Sequence, residues 1–126
     1  MTKYFLDTNA IIFLFSKNLE QFSDEILAKI EKYDLFVSPL VQLELQYLFE
    51  IGRIKSSGDH VLQALYKEIG LKIASLPLDL LIQNAVEESW TRDPFDRLIT
   101  AHAKTEKAFL ITSDKVIRRF YKKAIW

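Results

Sequence analysis

Cysteine is absent from this sequence. Its absence excludes disulfides, a cysteine nucleophile and thiolate metal sites, although it does not fix the compartment. Any metal must be held by oxygen or imidazole, and only His60 and His102 offer the latter. An excess of either charge is also missing, because 17 lysines and arginines balance 17 aspartates and glutamates. The overall field gives no reason to expect nucleic-acid binding, so any phosphate-binding charge has to be local. Long apolar runs are lacking too: "AIIFLF" near the start falls well short of the ~18 residues that span a bilayer. Met1 to Asp7 does not have the basic-then-apolar build of a secretory signal. A cytoplasmic protein without membrane association is expected. No repeat, low-complexity tract or linker interrupts the chain. Its 126 residues, 49% of them hydrophobic, suit one globular domain over 1–126. A domain of that size buries roughly two thirds of its unfolded surface.

What is present is an alternation of strand and helix signals. "KYFL" is rich in β-formers and runs into "DTN", after which "AIIFLFSK" reads as a short helix. "SDEILAKIEKY" carries a cap at Ser23 and apolar Ile26, Leu27 and Ile30 at helical spacing. "LFVS" reads as a second strand. The next helix begins with Ser38 as cap and Pro39 at its first position, and it stops at Gly52. "HVLQALYKEIG" repeats that ending at Gly70. There follow a strand in "LKIASL", helices in "LDLLIQNAVEESW" and "PFDRLITAHAK", a strand in "AFLIT", a helix in "SDKVIRRFYKK" and a possible terminal strand in "AIW". Strands alternating with helices of this length pair in parallel through right-handed crossovers. The expected architecture is a three-layer α/β/α sandwich with a mostly parallel sheet of four to five strands.

In open parallel sheets ligands bind beyond the carboxyl ends of the strands, and two of the strand signals lead into aspartate. Asp7 directly follows "KYFL"; Asp114 follows "AFLIT" with only Ser113 between. Glu44 falls inside its helix, one turn from Leu40, Val41, Tyr47 and Leu48, which places it on the buried stripe. A carboxylate there must be paired, protonated or bound to a metal. In "RDPFDRLI", Asp93 fits the helix cap and Pro94 the first helical position, so Asp96 lies in the first turn. Asp93 is accounted for as architecture. A first-turn acid contributes only ~0.3 to 1 kcal/mol through the helix dipole, and Asp96 is therefore read as chemistry. Four carboxylates, Asp7, Glu44, Asp96 and Asp114, would converge from four segments at the strand ends. Two like charges ~4 Å apart repel by ~4 kcal/mol at an effective dielectric near 20. A hard divalent cation, Mg²⁺ or Mn²⁺, removes that cost and suits hydrolysis of a phosphodiester.

The stretches "FLDTNAII", "VSPLVQLELQYL", "RDPFDRLITAHA" and "LITSD", in that order and spacing, resemble PIN-domain ribonucleases, especially the VapC-type toxins of toxin-antitoxin modules. The resemblance runs from Tyr4 to the terminal "AIW". It implies a compact α/β/α domain and Mg²⁺- or Mn²⁺-dependent endonucleolytic cutting of RNA. It also implies homodimerisation and inhibition by a cognate antitoxin protein that covers the cleft. Carried over by position, Asp7, Glu44, Asp96 and Asp114 form the catalytic and metal-binding set, with Thr8, Asn9 and Thr112 as hydrogen-bonding support.

RNA also calls for cations. Lys115, Arg118, Arg119 and Lys122 stand at helical offsets that make one basic face beside Asp114, and the alternative is a solvated face of a helix packed through Val116, Ile117 and Phe120. Arg92 and Arg97 either contact phosphate or neutralise spare carboxylate charge. His60 and His102 are assigned no catalytic role, and Trp90 and Trp126 read as packing residues. Two rival functions share parts of this pattern. A phosphatase forming an aspartyl-phosphate on Asp7 lacks its usual second acid, since Asn9 stands there. A domain that keeps the acidic cluster only to bind metal, RNA or protein, without efficient cutting, is the non-enzymatic alternative.

Overall fold

The computed structural model describes residues 2–126; Met1, included in the 1–126 expectation, lies outside the described residues. Five strands form one parallel sheet: β1 (Tyr4–Leu6), β2 (Leu35–Val37), β3 (Lys72–Ile73), β4 (Phe109–Ile111) and β5 (Ala124–Ile125). Their spatial order is β3-β2-β1-β4-β5, with every pairing parallel. Seven helices flank it: α1 (Thr8–Phe15), α2 (Asp24–Lys32), α3 (Pro39–Glu50), α4 (Gly58–Ile69), α5 (Leu78–Val86), α6 (Pro94–Thr105) and α7 (Lys115–Phe120). A single 3₁₀ turn, Leu19–Gln21, lies between α1 and α2.

The helix starts follow from local chemistry. Ser23, Ser38 and Ser57 each accept a backbone N–H of the first turn through the side-chain oxygen, satisfying a donor the helix leaves free. Asp7, Asp93 and Asp114 do the same for α1, α6 and α7. Gly70 ends α4 in the left-handed region at φ 70°, and Gly52 follows α3 at φ 78°, as expected of helix-stop glycines. Gly58 is needed for a different reason. A Cβ there would meet the Gln42 carbonyl oxygen at 2.6 Å and the Gln46 nitrogen at 3.1 Å, so it lets α4 start hard against α3.

β1, at the centre of the sheet, is buried along its whole length, as parallel strands covered on both faces require. Phe5, Leu6, Ile11, Val37, Val41, Leu45, Leu110 and Ile111 are fully enclosed in the main core. Leu81, Ala85 and Ala101 make a smaller cluster where α5 meets α6. The two tryptophans pack as expected: Trp126 lies 4.8 Å from the Phe22 ring centroid, and Trp90 stacks on Phe120 at 5.5 Å. No helix among the described residues is long and apolar enough to cross a membrane.

Candidate functional site

The strand order reverses direction beside β1: β2 and β3 extend the sheet on one side, β4 and β5 on the other. Such a switch point opens a crevice at the carboxyl ends of the two central strands. Leu6 registers with Ile111 across β1 and β4, which brings the next residues, Asp7 and Thr112, abreast. The Asp7 N–H donates to the Ile111 carbonyl at 3.2 Å. Thr112 Oγ1 donates to Asp7 Oδ2, and the Asp114 N–H donates back to Thr112 Oγ1 at 3.0 Å. The other Asp7 oxygen accepts from the Ala10 N–H at 3.0 Å. One threonine thus links the two aspartates that close β1 and β4.

The remaining acids arrive from α3 and α6. Glu44 accepts from Thr8 Oγ1, the residue next to Asp7. Asp93 spends one oxygen on the N–H groups of Phe95 and Asp96, at 2.8 and 3.1 Å, which confirms its capping role. Asp114 does likewise for Val116 and Ile117, at 2.8 and 3.1 Å. Asp96 accepts no hydrogen bond within the described residues.

Electrostatics ties these groups together. Burial raises the Asp7 carboxyl from 3.8 to about 6; the hydrogen bonds from Thr112 and Ala10 oppose the rise, and the charges of Glu44 and Asp114 add to it. Asp96 is raised from 3.8 to about 7, first by burial and then by Asp93, Asp114, Glu44 and Asp7. Burial also raises Glu44, with the Thr8 hydrogen bond opposing and Asp93 contributing. None of these acids forms a salt bridge with a lysine or arginine among the described residues; the ion pairs lie elsewhere, at Lys3–Glu106, Lys17–Glu68, His102–Glu106 and Lys104–Glu88. The charges therefore meet unneutralised. Within the described residues no three His, Asp or Glu side chains form a ready-made ligand cage. Mg²⁺ does not require one, since it is commonly held through one or two carboxylates with water and substrate oxygens filling the octahedron. The donor set, carboxylate oxygen without a protein cation beside it, fits a hard divalent ion.

Several expectations need correction. Glu44 is half-buried, because the enclosed stripe of α3 runs through Val41 and Leu45 while Tyr47 is 51% exposed; the glutamate borders that stripe. Asn9 is exposed and makes no hydrogen bond among the described residues, unlike Thr8 and Thr112. Arg97 neither neutralises an acid nor faces open solvent for phosphate. Its guanidinium donates to the carbonyls of Ala85, Val86 and Thr91, at 2.8, 3.0 and 3.4 Å, closing the carboxyl end of α5. Arg92 donates to the Ser89 carbonyl at 2.9 Å. The basic helix is shorter than expected: α7 stops at Phe120, so Lys122 leaves the stripe, and Arg118 folds back onto the Ser113 carbonyl at 3.3 Å. Only Ile117 anchors α7 in the core, with Val116 and Phe120 exposed. His102 is fully enclosed against Phe5, with Nε2 3.2 Å from Glu106, and His60 lies on the surface against Phe15. The signal that identifies Arg97 as a helix-end clamp is tertiary, since its acceptors lie on a different helix and loop.

Fold and site together define a parallel three-layer α/β domain with carboxylates gathered at the carboxyl edge of its sheet, at the switch point. The family model described as "PIN domain" matches residues 4–123, and the chain belongs to that family. Solved structures similar to it include VapBC2 from Rickettsia felis bound to a promoter DNA fragment, at 21% identity and TM-score 0.69, covering 94% of this chain and 92% of that one. DNA-bound VapBC from Salmonella typhimurium is similar at 21% identity and TM-score 0.61, with the same coverage of 94% and 92%. PAE2754 from Pyrobaculum aerophilum follows at 21% identity and TM-score 0.61, covering 98% and 88%. No curated protein matches the chain.

Proposed function

We propose that this protein is a divalent-metal-dependent endoribonuclease and the toxin of a toxin-antitoxin pair. One observation carries the reading: carboxylates from four separate segments meet at the strand ends, where burial and the neighbouring acids raise Asp7, Glu44 and Asp96, while no lysine or arginine among the described residues forms a salt bridge with them. Capping accounts for one oxygen each of Asp7 and Asp114, but not for gathering them with Glu44 and Asp96, an arrangement that costs stability unless positive charge enters it. Asp7, Glu44, Asp96 and Asp114 are the residues that would hold the ion. When bound, Mg²⁺ or Mn²⁺ supplies the charge that screens these carboxylates and favours attack on a phosphodiester.

The chain's own groups fix the geometry. Thr112 and the Ala10 N–H hold the Asp7 carboxylate in one orientation, and Thr8 does the same for Glu44. Asp114 commits one oxygen to α7 and leaves the other for the cleft. Asp96, with no donor of its own, is the acid freest to turn toward a ligand.

Membership of the PIN family and the fold shared with VapBC complexes support the toxin assignment. An antitoxin partner and a homodimer are part of the same proposal. An apolar stripe on α5, Leu78, Ile82 and Val86 at 69%, 45% and 63% exposure, supports a protein-protein contact on that face. The direct test is incubation of purified protein with total RNA and Mn²⁺ or Mg²⁺, with a chelator control and mapping of the cut ends. Metal-dependent cleavage lost in folded Asp7→Asn and Asp96→Asn variants supports the reading. Metal binding without cleavage overturns it in favour of a binding module.

A further inference from the structure

The proposed catalytic acids occupy one pole of the sheet, and a cluster of four lysines, Lys104, Lys107, Lys122 and Lys123, occupies the other. Lys107 immediately precedes the segment that enters β4, and Lys122 and Lys123 precede β5, so all three lie at the amino ends of these strands. With Lys104 from the end of α6, and with Phe120 and Tyr121, they line a groove of about 490 Å³. Lys104 is paired with the buried Glu88 at 3.3 Å, and nearby Glu106 is engaged by Lys3 at 2.9 Å. Lys107, Lys122 and Lys123 have no carboxylate partner among the described residues. In a chain whose formal net charge is zero, such a cluster is a local concentration of positive charge and not a by-product of basic composition.

Two further features specify the ligand. Phe120 is 50% exposed at the groove edge and stacks on Trp90, giving a rigid aromatic surface beside the ammonium groups. The helix that joins the two poles, α7, presents Lys115 and Arg119, both exposed and one turn apart. A cationic track therefore runs from Asp114 to the groove. Ammonium groups for phosphates combined with an aromatic face for bases is the composition of a single-strand nucleic-acid surface. An acidic protein segment would use the lysines but gain nothing specific from the aromatic face.

We propose that single-stranded RNA extending from the acidic cleft follows α7 and lodges in the groove of Lys104, Lys107, Phe120, Lys122 and Lys123. The proposal rests on the nuclease reading for the identity of the strand, but it is tested without cleavage. Fluorescence anisotropy in chelator is run with labelled single-stranded RNA of about 4 and about 16 nucleotides, the span of single-strand site sizes. The variant is the triple Lys107→Gln, Lys122→Gln, Lys123→Gln. Lys104 is spared because its loss would strand the enclosed Glu88. The expected result is a fall of about tenfold or more in affinity for the longer RNA, and a log-log salt slope shallower by about 2, three contacts at about 0.7 each. The matching triple Lys→Arg variant keeps both, and Phe120→Ala weakens binding where Phe120→Tyr does not.

Unchanged affinity and slope in the triple Gln variant overturn the groove. Tighter capture of a polyglutamate peptide than of the longer RNA overturns its assignment to nucleic acid. The two readings fail separately. Groove-dependent RNA binding with no cleavage in Mn²⁺ refutes the nuclease alone, and cleavage with groove-independent affinity refutes the groove alone.

Discussion

Removing a charge from the acidic site is expected to stabilise the metal-free protein, and Asp96→Asn is the cleanest case because Asp96 accepts no hydrogen bond that the change would break. Its carboxyl is raised from 3.8 to about 7, which in a dry site would put a penalty of order 4 kcal/mol on the ionised folded form. Asp96 is only half enclosed, and solvent screening brings the figure to about 1 to 2 kcal/mol. The sign follows from linkage. A raised acid binds its proton more tightly in the folded state, so its contribution to stability is fully present below about 4 and is lost as pH rises to about 7. The asparagine variant has no such loss. In chelator its advantage over wild type should be near zero at pH 4, grow through pH 5 and 6, and level off at about 1 to 2 kcal/mol above pH 7. Urea unfolding across that range, with equal m-values, measures it. Adding Mg²⁺ should reverse the order, since a ligand at one hundred times its Kd stabilises wild type by about 2.7 kcal/mol and the variant by less. A variant less stable than wild type at pH 8 in chelator, or a difference flat in pH, refutes the electrostatic reasoning.

The other expectations are brief. Asp7→Asn and Asp96→Asn should each abolish metal-dependent RNA cleavage while circular dichroism shows a folded chain. Arg97→Gln leaves three carbonyls without their donor and should cost about 1 to 3 kcal/mol in urea unfolding, with kcat/KM on RNA unchanged at a temperature where the variant is folded. Gly58→Ala forces a Cβ to 2.6 Å from the Gln42 carbonyl oxygen and should destabilise by about 1 to 3 kcal/mol, whereas Leu110→Ala, fully enclosed beside β1, should cost about 2 to 5 kcal/mol. Val86→Glu, on the exposed stripe of α5, should shift a dimer to monomer in light scattering; an unchanged mass refutes that face as the contact.

Most of the architecture is legible in the sequence because local rules and the global fold agree. Ser23, Ser38 and Asp93 stand at helix starts and also cap them, Pro39 and Pro94 occupy first helical positions, and Gly52 and Gly70 take the left-handed stop. Asp7, Asp96 and Asp114 are legible for a related reason, since each follows a strand or lies in the first turn of a helix, whereas Glu44 stands out only as an acid inside α3 one turn from apolar residues. What escaped were features decided by contacts between segments. Arg97 is indistinguishable in sequence from a phosphate-binding arginine until the end of α5 is packed against it. The stripe Lys115 to Lys122 has perfect helical spacing, but the chain must turn after Phe120 to pair β5 with β4, and Tyr121 instead anchors that turn by donating to the Ala108 carbonyl. The half-burial of Glu44 likewise depends on which face of α3 meets α4 and α6, which periodicity alone leaves open by one residue.

Acids elsewhere in the molecule are treated differently from the proposed site. Glu88, which is 4% exposed, is met by Lys104, and Glu106 is met by Lys3, so the chain supplies cations where an acid is merely structural. Asp93 and Asp114 are stabilised through the N–H groups they cap. Asp7, Glu44 and Asp96 receive hydroxyls and N–H groups at most, and Asp96 receives none. On the proposed metal-dependent reading, withholding a cation there has a defined thermodynamic use. Repulsion stored in the metal-free site is released when positive charge enters, so each 1.4 kcal/mol of it appears as about a tenfold gain in affinity for the ion. A lysine placed among these acids would stabilise the fold and forfeit that gain. Lys104, Lys107, Lys122 and Lys123 stand at the far pole instead, and on the proposed reading the cleft is a negative site that a bare phosphate backbone would enter only once a divalent ion is in place.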